Sequence, residues 1–167
     1  MEKRLEIICL SGFMGCGKSS VGRKLAARLN CVFTDLDDFI VEREGRSIPE
    51  IFKEGEAAFR KLELEALEAY LEQNEGPAVL ALGGGTPTIA EARSLVLEKT
   101  RTVYLRTAFS TIKARLGAED ESRPLFADAE RLYKNRLVLY EQAEYIVDTD
   151  GLSPDEIADA IIDRLSS

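Results

Sequence analysis

Short apolar runs bounded by turn residues alternate with helical spacings along this chain. Residues 5–10 (LEIICL) form a short apolar run ending at Ser11-Gly12, which predicts a buried strand. Residues 17–29 place Val21, Leu25, Ala26 and Leu29 on one helical face. A second strand is expected over 31–35 (CVFTD), then two short helices, 39–43 and 48–53, around a break at Gly45. A long helix follows over residues 56–73. Residues 78–82 (AVLAL) read as a strand that ends in Gly83, Gly84 and Gly85, and 102–106 (TVYLR) as another, followed by a helix over 109–116. Residues 117–128 are polar, contain one proline and keep no period; an irregular stretch of this length suits a mobile lid. A helix over 131–142, a last strand within EYIVDT and a closing helix over 154–165 complete the chain, with Pro154 suited to a first helical turn. Strands alternating with helices predict an α/β fold with a largely parallel sheet of about five strands. One domain, residues 1–167, accommodates them.

Composition narrows the chemistry. Hydrophobic residues make up 45% and charged residues 31%, an ordinary globular balance. The net charge of -8 gives no general attraction to nucleic acid or an anionic membrane, so any anionic ligand must be held by local positive groups. No apolar stretch is long enough to span a bilayer, and no targeting segment is visible. There is no histidine, which removes Ser-His-Asp and Cys-His mechanisms. Cys9, Cys16 and Cys31 are too few and too scattered for a zinc site and fit reduced thiols in a cytoplasmic enzyme.

The segment Gly12-Phe13-Met14-Gly15-Cys16-Gly17-Lys18-Ser19 fits G-x-x-x-x-G-K-[ST] in full, between a strand and a helix. Its glycines let successive backbone N–H groups curl around phosphate oxygens, at the positive end of the following helix. Lys18 is placed for the β- and γ-phosphates, and the Ser19 hydroxyl for Mg2+. The competing reading is a chance glycine-rich turn. Cys16 stands near a helix N-terminus, where thiols acidify. Either its modification blocks ATP, or it is a small loop residue without special reactivity.

Asp35-Leu36-Asp37 closes the second strand, at the carboxyl edge where ligands gather in parallel sheets. One carboxylate can hold the metal shell and the other can orient or deprotonate an attacking hydroxyl. Alternatively Asp35, Asp37 or Asp38 caps the next helix. Because the strand over 78–82 ends in glycine rather than aspartate, Asp35 is the natural acidic partner for a metal.

Two arginines fall on apolar arcs. At about 100° per residue, Lys61, Glu65, Glu68 and Glu72 share the solvent face of the long helix, whereas Arg60 lies between Leu67 and Leu71, and Glu63 between Tyr70 and Leu67. Arg136 falls between the Leu132/Leu139 and Tyr133/Tyr140 pairs. A charge on such an arc is costly unless paired or ligand-bound. The pair points to a clamp for an anionic substrate, with Glu63 holding Arg60 at i, i+3; internal ion pairing or snorkelling is the alternative. Arg123, in the lid segment, either stabilises a transferring phosphoryl group or is a solvated loop arginine.

Taken in order, GFMGCGKSS, FTDLDDFIVEREGRSIPEIFKEGEAAFRKLE, LALGGG, SRPL and NRLVLYEQAEYIVDT resemble the shikimate kinase family over nearly the whole chain. The resemblance implies a three-layer α/β/α P-loop fold, a five-stranded parallel sheet of order 2-3-1-4-5 and a monomer with a closing lid at about 117–128. It implies MgATP-dependent phosphorylation of the 3-hydroxyl of shikimate. By motif, Gly12, Gly15, Cys16, Gly17, Lys18, Ser19 and Ser20 would hold ATP, and Ser19 with Asp35 would hold Mg2+. Asp37 would bind the acceptor hydroxyl, and Arg60 and Arg136 the carboxylate. Gly83, Gly84 and Gly85 would admit the ring, with the substrate region at about 35–63. Glu63 would support Arg60; Ile48, Pro124 and Leu125 would wall the pocket; Arg123 would be the lid arginine; Arg115 and Pro154 would flank adenine.

Two rivals share parts of this pattern. A small-metabolite kinase of the gluconate kinase type has the loop and fold but no reason for Arg60, Arg136 and the triple glycine together. A non-catalytic nucleotide-binding protein would fit Asp148-Thr149-Asp150-Gly151 as D-x-x-G, but that segment follows the last strand and no N-K-x-D signature accompanies it.

Overall fold

The structure, a computed structural model, describes residues 7–117 and 126–166. Strand β1 (Ile7–Ser11) is buried along its whole length, as expected of a central strand covered on both faces. Its side chains alternate: Ile7 and Cys9 enter one core, Ile8 and Leu10 the other. The first core is closed by helices α2 (Leu36–Glu44), α3 (Ile48–Phe52), α4 (Glu56–Gln73) and α5 (Ala90–Lys99), through residues such as Leu36, Ile51, Leu67 and Val96. The second is closed by α1 (Lys18–Leu29) and α8 (Pro154–Ser166), through Val21, Leu25, Ile157 and Ile161. Three layers result.

Strands β2 (Val32–Asp35), β3 (Ala78–Ala81), β4 (Thr100–Arg106) and β5 (Tyr145–Asp148) join β1 in the order β2-β3-β1-β4-β5, every pairing parallel. This is the 2-3-1-4-5 order that the resemblance implies. All carboxyl ends therefore open on one rim, where the loops after β1, β2 and β3 stand side by side. A third cluster, Phe13, Tyr104, Ile112 and Tyr140, packs α6 (Phe109–Gly117) and α7 (Phe126–Tyr140) against that rim.

Several boundaries differ from the sequence reading. The helix expected at 39–43 starts at Leu36, because the Asp35 carboxylate caps it. Helix α7 starts at Phe126 rather than Arg131, so the stretch read as irregular over 117–128 is helical at both margins: Gly117 ends α6, and Phe126 to Asp128 form the first turn of α7. The remainder of the expected lid, with Arg123, Pro124 and Leu125, lies outside the described residues. Helix α5 went unread because its apolar face is thin: only Ala92 and Val96 are buried, and Ile89 at its start supplies no capping side chain. No described helix is long and apolar enough to cross a membrane.

Candidate active site

The loop after β1 curls as the motif demands, with Gly15 and Gly17 at φ 81° and 94°, a region that favours glycine. Lys18 folds over it and donates to the carbonyls of Gly12 (2.6 Å) and Phe13 (3.2 Å). Its ammonium thus sits at the loop's mouth. Cys16 is buried, 2% exposed, within the α1 core. Burial keeps modifying reagents from the thiol, so the reactive-cysteine reading gives way to that of a small packing residue.

Asp35 serves two purposes that had been alternatives. One carboxylate oxygen accepts from the backbone N–H groups of Asp37 (2.9 Å) and Asp38 (3.3 Å), capping α2. The other accepts from the Ser19 hydroxyl at 2.9 Å. A hydroxyl and a carboxylate oxygen are thereby brought together at the head of α1, beside Lys18.

Arg60 and Glu63 form the expected i, i+3 pair, Nη1 to Oε1 at 2.7 Å, and Glu56 flanks the other side of the guanidinium at 3.3 Å. Glu63 is only 1% exposed. Its second oxygen accepts from the Thr86 hydroxyl at 2.5 Å. On α7, Arg136 is 8% exposed, and its Nε has no hydrogen-bond partner. No described carboxylate forms an ion pair with it within 4.0 Å; its guanidinium carbon lies 6.0 Å from the Phe13 ring centre.

The three glycines after β3 bring these groups together. A Cβ at Gly83 would stand 3.0 Å from Asp37 Oδ1 and 3.1 Å from Glu63 Oε2. One at Gly84 would meet Arg136 Nη1 at 3.5 Å, and one at Gly85 the Arg60 guanidinium at 2.4 Å. Three successive positions therefore touch Asp37, Arg136 and Arg60. Beside them opens a cleft of about 350 Å³ lined by Lys18, Ser19, Ser20, Asp35, Asp37, Gly83 and Gly84. Burial, then the neighbouring carboxylates of Asp35 and Glu63, push the Asp37 carboxyl up to about 6, against the pull of Lys18.

The other expected residues are less central. Arg115, on α6, donates to the Gly15 carbonyl at 2.7 Å and so touches the phosphate loop. Pro154 begins α8 and is exposed. Ile48 packs against the core beneath α2 to α4.

A loop built for phosphates thus faces a buried arginine, a half-buried one and a raised carboxyl across three glycines. The shikimate kinase family model matches residues 14–166. The chain belongs to the shikimate kinase family. Shikimate kinase of Streptomyces coelicolor is 45% identical over 166 residues, 95% of each chain. That of Enterococcus faecalis is 37% identical and covers 96% of this chain and 99% of its own. Among solved structures, shikimate kinase from Acinetobacter baumannii in complex with shikimate superposes with a TM-score of 0.86 at 33% identity, covering 98% of this chain and 94% of that one. Shikimate kinase from Aquifex aeolicus gives 0.83 at 35% identity, with 96% of each covered. The chain is an ATP-dependent kinase of this family, with ATP as co-substrate.

Two residues at the glycine segment escaped the sequence reading. Thr86 directly follows the glycines, and Tyr140, four residues after Arg136, donates to the Gly84 carbonyl at 2.6 Å. The signal for Tyr140 was its i, i+4 relation to Arg136; nothing but adjacency marked Thr86.

Proposed function

We propose that this chain transfers the γ-phosphoryl group of MgATP to the 3-hydroxyl of shikimate. The observation that carries the assignment is the gathering of Asp37, Arg60 and Arg136 around Gly83, Gly84 and Gly85, next to the cleft that Lys18 lines. An arginine as buried as Arg136, unpaired among the described carboxylates, is costly unless a ligand supplies the anion. Arg60, flanked by Glu63 at Nη1 and by Glu56 at Nε and Nη2, keeps a second N–H on each Nη for a carboxylate. Two guanidiniums suit the planar carboxylate of shikimate better than a lysine pair would.

Asp37 accepts the hydrogen bond of the acceptor hydroxyl. With its carboxyl near 6 it is ionised at neutral pH, so it can take the proton as the hydroxyl oxygen bonds to phosphorus. Lys18 and the loop N–H groups receive the phosphate oxygens and the charge that spreads over them. Ser19 and Asp35 fit Mg2+: both are hard oxygen donors, already 2.9 Å apart, and they would hold the ion alongside phosphate and water oxygens. Bound there, the ion would neutralise phosphate charge. Arg115, in contact with the loop at Gly15, is placed to reach the nucleotide. Free Cys9, Cys16 and Cys31 support a reducing, cytoplasmic setting.

The test is ADP release from MgATP in a coupled assay, with shikimate, shikimate methyl ester, gluconate and no acceptor. Turnover should require shikimate, and masking the carboxylate should raise KM by about a hundredfold, the scale of losing a charge-assisted pair. Equal turnover of gluconate would overturn the assignment.

A further inference from the structure

The acceptor clamp depends on Glu63, a carboxylate buried almost completely on α4. A buried carboxylate needs donors on both oxygens, or it turns, protonates or weakens its partner. Arg60 satisfies Oε1 at 2.7 Å. Among the described residues, Oε2 accepts from the Thr86 hydroxyl, at 2.5 Å and itself 1% exposed. Thr86 begins the short 3-10 turn Thr86–Thr88, whose backbone is pinned by its own N–H to Gly83 O at 3.1 Å. Its hydroxyl would also lie 3.3 Å from a Cβ at Gly83. One side chain thus ties the glycine segment, the buried carboxylate and, through it, the clamp arginine.

We infer that Thr86 is a positioning residue for the acceptor. Its hydroxyl fixes the Glu63 carboxylate so that Oε1 holds Arg60 with its free edge turned toward Gly85. A Cβ at Gly85 would stand 2.4 Å from the Arg60 guanidinium, so a small rotation of Glu63 moves the guanidinium against or away from the space above that glycine. The inference rests on Arg60 binding the acceptor carboxylate, as proposed above. A plain packing role predicts something different: lost stability, with both substrates affected alike or neither.

The experiment compares Thr86→Val, which keeps shape and loses the hydroxyl, with Thr86→Ser, which keeps the hydroxyl and loses the methyl. Steady-state kinetics are measured for shikimate and for ATP, with thermal melting alongside. Thr86→Val should raise the shikimate KM by about tenfold, the cost of one unmet donor to a charged group. The ATP KM should stay within about twofold, kcat should change less than the shikimate KM, and Thr86→Ser should restore the wild-type value. An unchanged shikimate KM, or parallel rises for both substrates, would sink the inference. If Thr86→Val does not fold, Thr86→Ala removes the same hydroxyl without adding bulk and is read by the same outcomes. Arg60→Ala, run beside them, separates the two claims. If it leaves the shikimate KM unchanged, the clamp itself is wrong; if it raises KM while Thr86→Val does not, only the role of Thr86 falls.

Discussion

Asp37 shows how a single side chain can be placed against its own stability. Its carboxyl stands near 6 rather than 3.8 because burial and the neighbouring carboxylates of Asp35, Glu63 and Asp38 disfavour the charge. The native state therefore holds the proton more tightly than the unfolded chain, and stability falls as pH rises from about 4 to about 6. Asp37→Asn removes that penalty. In chelator and without nucleotide, the variant should be more stable than the parent by on the order of 1 kcal/mol at pH 7, after allowing for solvent screening of a partly exposed group. The gain should shrink as pH falls from about 6 and vanish only well below the unfolded value of 3.8, where the carboxyl is protonated in both states. Shikimate-dependent turnover should fall by about a hundredfold or more. A variant that is both active and no more stable would remove Asp37 from the role given to it.

At the level of elements, the most informative junction is the one between β2 and α2. Asp35 both caps a helix and meets Ser19, and the two duties can be separated by substitution. Asparagine caps a helix nearly as well as aspartate but carries no charge; alanine does neither. Asp35→Asn should melt within about 1 °C of the parent while Mg2+ dependence of turnover shifts to higher concentration. Asp35→Ala should show the same kinetic change and also lose about 1 kcal/mol. Equal melting of the two variants would mean that the cap contributes little. This junction also marks the limit of what the chain spells out. Capping and metal binding looked like rival explanations of Asp35 because a one-dimensional pattern assigns one role per residue. The two oxygens of one carboxylate face different elements only once β2 lies beside the head of α1. Arg60, Glu63 and Arg136 were legible because helical angle alone separates an inward charge from the solvent stripe of Lys61, Glu65, Glu68 and Glu72. Thr86 was not, since its meaning depends on Glu63, 23 residues away and on another element.

Across the whole molecule, a strongly acidic surface surrounds a site that must accept two anions. Lys18, Arg60 and Arg136 dominate at contact distance, but an approaching ligand first meets the summed charge of -8. The Debye length shrinks from ~30 Å at 0.01 M salt to ~10 Å at 0.1 M. Raising salt across that range should therefore increase kcat/KM for shikimate, by about twofold, before further salt weakens the arginine contacts themselves. A steady decline from the lowest salt would show that the local positive charge already governs the approach.

The place of β3 between β2 and β1 has a further consequence. Neighbouring strands lie about 4.8 Å apart, so the strand ends that deliver Asp37 and the phosphate loop stand roughly two such steps from each other. Whatever tops the intervening strand occupies the corridor between acceptor and donor. In the reaction proposed above, Gly83, Gly84 and Gly85 would leave it clear, and the atoms that they lack would measure out the passage through which a phosphoryl group crosses.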